Sequence, residues 1–166
     1  MKKLNLGCGN KLLPDYINID LMVLPEEEYK GHNFIEADVQ ELPSLFAAES
    51  VDEVRAEHLF EHLTHAEITT LLFKIWSVLK PGGRLIIITP DFIKLLDELA
   101  DRTSHGDFST LDITCLKLFS TPDETLHRSI WFDEVGVWYL DREDLFEVVQ
   151  VSRPSKIEIQ FEAIRR

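Results

Sequence analysis

The chain has 166 residues and a mass of 19.2 kDa, with 45% hydrophobic and 28% charged residues. That balance excludes a disordered, collagen-like or coiled-coil chain and suits one domain, residues 1–166, with a core of its own. Thirty acidic against seventeen basic residues give a formal charge of −13, a surface that repels phosphate backbones and argues against a nucleic-acid partner.

Leu4–Leu6 is a short apolar strand that ends at Gly7. Tyr16–Asp20 (YINID) places three apolar residues at period two, and Asn33–Ala37 and Asp52–Ala56 are weaker strands of the same kind. Thr64 and Glu67 have the spacing of a capping box. The helix they open puts Ile68, Leu71, Leu72, Ile75 and Leu79 on one face and stops at Pro81 and Gly82-Gly83. Arg84–Thr89 (RLIIIT) is the strongest strand, continuous and β-branched, as in a parallel sheet covered on both faces. A second helix is expected from Thr89-Pro90, with Pro90 at its first position and Phe92, Leu95, Leu96 and Leu99 packed inward.

Residues 103–139 carry the weakest pattern. Ser104–Asp107 reads as a loop, Ser109–Phe119 as a helix burying Leu111, Cys115, Leu118 and Phe119, and Thr121–Arg128 as turn-like. At the end, Phe146–Ser152 and Lys156–Ile164 are two strands joined across Arg153-Pro154-Ser155, a connection too short for a parallel crossover. Alternating strands and helices followed by an antiparallel hairpin describe an α/β fold whose sheet is mostly parallel.

Cys8 and Cys115 stand far apart, which is neither a disulfide framework nor a cysteine zinc site. The opening MKKLNLGCGN lacks the apolar run of a signal peptide, and no stretch reaches the roughly 20 apolar residues that cross a bilayer. A cytoplasmic protein without a membrane span is expected.

Gly7-Cys8-Gly9 follows the first strand, where absent side chains allow a tight turn and close approach of a ligand. Leu12 stands where the third glycine of a dinucleotide fingerprint would fall, which argues against a nicotinamide oxidoreductase. Cys8 itself reads as a small space-filler. Asp20 ends the second strand, either as a turn former or as a carboxylate for the two hydroxyls of a ribose. It comes only eleven positions after Gly9, where a full crossover helix needs about 20. Asn10–Asp15 is therefore a loop or a single turn.

Taken in order, LNLGCGN, YINIDL, FIEADVQELP, VDEVRAEHLFEHL and LKPGGRLIIITPDF resemble the successive motifs of class I S-adenosylmethionine-dependent methyltransferases, closest to small methyltransferase-11-like proteins with a shortened first crossover. The resemblance covers about residues 3–92 and, more loosely, His127–Arg166. It implies a seven-stranded Rossmann-like sheet with S-adenosylmethionine outside the carboxyl ends of the first strands. It assigns Gly7 and Gly9 to the methionine and ribose side, Asp20 to the ribose hydroxyls, and Asp38 and Val39 to the adenine. Glu57 and His58, leaving the fourth strand, fall at the sulfonium and the substrate mouth. Asn5 replaces the acid usual two residues before the first glycine and can still accept a hydrogen bond; Lys11 replaces a frequent glycine.

The function so implied is methyl transfer to a small-molecule, glycan-like or lipid-linked acceptor, with His58 as the first and His127 as the second candidate base. A homo-oligomer is compatible with it. Asn5, Lys11 and the short crossover also suit a non-catalytic binding or scaffold protein of the same fold. His127, Arg128, Trp131 and Trp138 are substrate-side candidates, the tryptophans having core or interface positions as their alternative.

One motif competes. His58-Leu59-Phe60-Glu61-His62 spells H-x-x-E-H, the pattern of inverted zinc proteases. On a helix, His58 and His62 would share a face. No distant third ligand is marked, so no metal is expected; Leu59, Phe60 and Leu63 would instead pack inward, with His65 exposed beside the Thr64 cap.

Overall fold

The computed structural model describes residues 1–22, 25–105 and 127–166. Its strands are β1 (Lys3–Leu6), β2 (Ile17–Asp20), β3 (Asn33–Glu36), β4 (Val51–Glu57), β5 (Leu79–Pro90), β6 (Phe146–Ser152) and β7 (Glu158–Arg165). Its helices are α1 (Glu26–Tyr29), α2 (Leu42–Leu45), α3 (His65–Val78), α4 (Phe92–Ser104) and α5 (Asp133–Asp141). The expected helix over Ser109–Phe119 and most of the turn-like Thr121–Arg128 lie outside the described residues.

One sheet runs in the order β3-β2-β1-β4-β5-β7-β6. β1 to β5 pair in parallel, and β7 is antiparallel to both β5 and β6. This is the Rossmann-like arrangement with an antiparallel C-terminal hairpin that the sequence predicts. Leu85 to Thr89 are buried along β5, consistent with cover on both faces. β7 alternates, with Ile159, Phe161 and Ala163 buried and their neighbours partly exposed.

The capping box of α3 is present: Thr64 Oγ1 accepts from the Glu67 N–H, and Glu67 Oε2 accepts from the Thr64 N–H at 2.7 Å. Ile68, Leu71, Leu72, Ile75 and Val78 bury the helix against the sheet. Two boundaries differ from the sequence reading. α3 ends at Val78, and Leu79 is already extended and paired with Val51, because a residue before proline avoids helical backbone and Lys80 precedes Pro81. Pro90 is likewise a strand residue opposite Glu158. Asp91 caps α4 instead, its Oδ1 accepting from the N–H groups of Ile93 and Lys94. Leu95 is buried as expected, whereas Leu96 is 38% exposed.

The β1–β2 crossover contains no helix. A side-chain network replaces it. Asn18, fully buried, accepts from the Leu13 N–H at 2.8 Å and from Asn5 Nδ2 at 2.9 Å. Its own amide donates to the carbonyls of Leu13, Tyr16 and Asn33. Asn5 Nδ2 also donates to the Lys11 carbonyl at 3.0 Å. Two asparagines therefore hold a loop that a helix would otherwise brace. Strand order reverses between β1 and β4, and the crevice outside their carboxyl ends is the ligand position of such sheets.

Candidate functional site

Gly7 and Gly9 both have positive φ, +61° and +50°. A Cβ on Gly7 would press on the Leu59 side chain, 2.9 Å from Cδ1, on top of the strain of its backbone; a Cβ on Gly9 would meet nothing within 4 Å, so its backbone borders open space. The Gly7 and Cys8 N–H groups both donate to the Ile19 carbonyl, at 2.9 and 3.3 Å. The Gly9 N–H donates to Asp20 Oδ2 at 2.7 Å, and the Met22 N–H to Asp20 Oδ1 at 2.8 Å. The acid that ends β2 is thus seated on the glycine bend. Each oxygen takes one amide, which leaves acceptor capacity for hydroxyls.

Asp38 stands at the end of the neighbouring strand. The Ala37 N–H donates to the Asp20 carbonyl at 2.9 Å, and Asp38 Oδ1 accepts from the Gln40 N–H at 2.8 Å, capping the turn Val39–Glu41. The Val39 side chain is buried in the core. The Gly9 backbone thus borders open space beside a carboxylate with lone pairs to spare, a chemistry compatible with the hydroxyls of a ribose.

Asn5 is placed differently. Its buried side chain is committed to Lys11 and Asn18 behind the bend, so its contribution runs through the loop it holds. Lys11 Nζ pairs with Glu57 Oε1, and Arg55 with Glu57 Oε2 at 2.8 Å. Burial pushes the Glu57 carboxyl up, but Lys11 and Arg55 outweigh it and hold it below its usual range.

His58 follows β4 in left-handed backbone, φ +55°, a conformation that costs a non-glycine residue about 1–2 kcal/mol. Its N–H donates to the Ile88 carbonyl at 2.9 Å, and its ring lies between two acids, Nδ1 at 3.0 Å from Glu61 and Nε2 at 2.7 Å from Glu158. The hydrogen bond with Glu61 raises its pKa most; burial opposes, and the charge of Glu61 with the bond and charge of Glu158 bring it to about 9. At neutral pH the ring is therefore protonated in this arrangement. Glu158 went unnoticed in the sequence, where it is one polar position in an alternating strand, 100 residues from its partner.

His58, Pro90, Leu95, His127, Ile157 and Glu158 line a cavity of about 280 Å³. His127 also lines a narrow cleft with Glu61, Phe92, Ser129 and Trp131. The two candidate bases thus line one cavity. Trp131 is 1% exposed and packs among Phe60, Tyr139 and Phe161, with Nε1 donating to Ser129 Oγ at 3.0 Å. Trp138 is 52% exposed, against His65 and the Arg142 guanidinium. The H-x-x-E-H segment is not a helix: His58 is left-handed and only Phe60–His62 form a short 3₁₀ turn, so His58 and His62 share no helical face. Asp91 was missed too. It is buried and bonded to Arg153 Nε at 2.9 Å, tying the start of α4 to the hairpin.

No curated protein matches the chain. Among solved structures, a SAM-dependent methyltransferase from Archaeoglobus fulgidus superposes with a TM-score of 0.65 at 16% identity, covering 99% of this chain and 86% of that one. A SAM-dependent methyltransferase from Methanosarcina mazei gives 0.67 at 17% identity over 99% and 92%. The 1,6-didemethyltoxoflavin-N1-methyltransferase of Burkholderia thailandensis, with 1,6-didemethyltoxoflavin and S-adenosylhomocysteine bound, gives 0.67 at 15% identity over 98% and 70%. At such identities the likeness is one of fold. The family model described as a methyltransferase domain matches residues 4–87, just over half of the chain and the part that carries the glycine bend, Asp20, Asp38 and His58. The chain belongs to that methyltransferase-domain family, whose methyl donor is S-adenosylmethionine.

Proposed function

We propose that the protein is a class I methyltransferase that binds S-adenosylmethionine at the β1–β4 crevice and methylates a small-molecule or glycan-like acceptor. The observation that carries this reading is the Gly9 N–H fixed on Asp20 at the carboxyl edge of β1 and β2, with open space over Gly9. In it, Asp20 accepts the ribose hydroxyls, Asp38 and Val39 border the adenine, and Gly7, Gly9 and Glu57 lie toward the methionine end. Asn5 serves by holding the loop.

When bound, the donor supplies an activated methyl on a sulfonium. The chain's task is to hold an acceptor lone pair in line with that methyl and to exclude water. The cavity lined by His58, His127 and Leu95 is the acceptor side in this reading. His58, protonated and bonded through both ring nitrogens to Glu61 and Glu158, gives that lining its shape and a positive charge; His127 takes the proton that an acceptor must lose. The net charge of −13 favours a neutral or cationic small acceptor over a nucleic acid. The Burkholderia structure has 1,6-didemethyltoxoflavin bound, and the small-molecule part of the reading draws on that likeness. Among the described residues no helix is long and apolar enough to cross a membrane.

A second reading rests on Lys11. Its ammonium is paired with Glu57, joining the glycine loop to the end of β4, which suits a scaffold that has lost its donor. A thermal-shift titration with S-adenosylhomocysteine separates the two. At about 100 times the dissociation constant a ligand adds roughly 2.7 kcal/mol of stability. A raised melting temperature, with label transferred from methyl-labelled S-adenosylmethionine to an acceptor panel, supports the enzyme. No shift with either ligand supports the scaffold.

A further inference from the structure

The H-x-x-E-H motif does not form the metal site that its spacing suggests, yet two of its residues meet a third donor from far along the chain. Glu61, His62 and His127 each offer a ligand atom, and these atoms lie within 4.8 Å of one another. Glu61 is 2% exposed. Its Oε1 receives His58 Nδ1, while Oε2 is buried without a hydrogen-bond partner. A buried carboxylate oxygen left unpaired is unfavourable, and a cation beside it removes that penalty.

The main chain fixes the third residue. The N–H groups of Arg128 and Ser129 both donate to the Glu61 carbonyl, at 2.6 and 3.1 Å, and Ser129 Oγ donates to the Phe60 carbonyl at 3.0 Å. His127 is thereby held over the 3₁₀ turn, its ring centroid 5.0 Å from that of His62. We propose that Glu61, His62 and His127 form a binding site for a divalent transition-metal ion, zinc being the best match, beside the acceptor cavity.

Two imidazoles and one carboxylate are the donor set of zinc and of its neighbours in the first transition row; calcium and magnesium prefer all-oxygen sites. Ligands 2.0–2.1 Å from a tetrahedral ion lie about 3.3 Å apart, so side-chain rotation of roughly an ångström closes the set. Three protein ligands leave one position open, and Glu61 and His127 line the cleft that adjoins it. His58 on Oε1 is the orienting partner that metal-ligating carboxylates commonly have. The site does not depend on methyl transfer. With the ion bound, His127 is a ligand and the ion, not that ring, polarises an acceptor.

The test uses tag-free protein, stripped with chelator and titrated with Zn²⁺ alone and with Mg²⁺ alone by calorimetry. Expected are one Zn²⁺ per chain, no comparable Mg²⁺ binding, and zinc affinity lowered by about tenfold or more in both His62→Asn and His127→Asn. Zinc-edge X-ray absorption of the wild type needs no variant and reads two imidazoles and an oxygen donor. Absence of zinc binding overturns the proposal. So does binding that both histidine variants retain, or that Glu158→Gln abolishes while His127→Asn leaves it intact, which would move the ion to Glu57, His58 and Glu158.

Discussion

The carboxyl edge of the sheet has two sides of different construction. On the glycine side, the bonds that set the geometry are short in sequence: Gly9 to Asp20 spans 11 residues, Asn5 to Asn18 spans 13, and Leu13 to Asn18 spans 5. On the histidine side they are long: His58 to Glu158 spans 100 and Ser129 to Phe60 spans 69. The first side is glycine backbone seated on Asp20 and a loop held by two asparagines; the second is a charged cluster whose geometry depends on the hairpin and on the segment entering α5. A donor common to a whole family suits the preset side, and an acceptor that differs among members suits the side assembled from distant pieces.

The largest expected effect tests how far the glycine side depends on its side chains. Asn18→Leu removes the partners of Asn5 and of the Leu13, Tyr16 and Asn33 backbone groups at a fully buried position. A loss of about 3 kcal/mol or more in urea unfolding is expected. A loss under about 1 kcal/mol would mean that the loop is braced by something other than this network.

On the histidine side, Glu158→Gln removes one of the two acids around His58. Its ring should titrate below about 9, nearer its ordinary 6.5, when followed by NMR. An unchanged titration would mean that Glu61 alone sets it. The same group sets a pH dependence. Because folding raises the His58 pKa from 6.5 to about 9, its contribution to stability is complete below pH 6.5 and is lost as pH rises through about 9. In chelator, the urea midpoint should fall across that window, with a shallower fall in Glu158→Gln. A midpoint that rises there contradicts the assignment.

The smallest effect returns to the glycine bend. Burial, and then the charge of Asp20, push the Cys8 thiol up to about 11. Native protein at pH 8 should leave Cys8 unalkylated by iodoacetamide in peptide mapping, and Asp20→Asn should change this little. Rapid labelling would mean that the bend is open enough to expose a side chain buried here.

The same contrast explains what could be read from the sequence. The strands along the chain, the C-terminal hairpin and the α3 capping box follow from local periodicity and spacing, and all are present. Asp20 was legible as the acid ending the second strand, and parallel pairing of β1 with β2 brings it to the glycine bend. Pro90 misled because proline favours a first helical turn as well as a strand end; the clearer signal was Asp91, a capping residue just before Phe92. Asn5 read as a weakened cofactor contact because its hydrogen-bond capacity was plain but its direction was not. Glu158 and the meeting of Glu61 with His127 left no local trace, since strand pairing and the main-chain bonds of Arg128 and Ser129 to Glu61 create them.

Calorimetric titration of S-adenosylhomocysteine into wild type and Asp20→Asn tests the donor site most directly. Asparagine keeps an acceptor for the Gly9 or Met22 amide but loses the charge offered to two ribose hydroxyls. Measurable binding by the wild type, weakened about tenfold or more in the variant at a nearly unchanged melting temperature, is the predicted result. Equal affinity in both proteins, or no binding by the wild type, would contradict it.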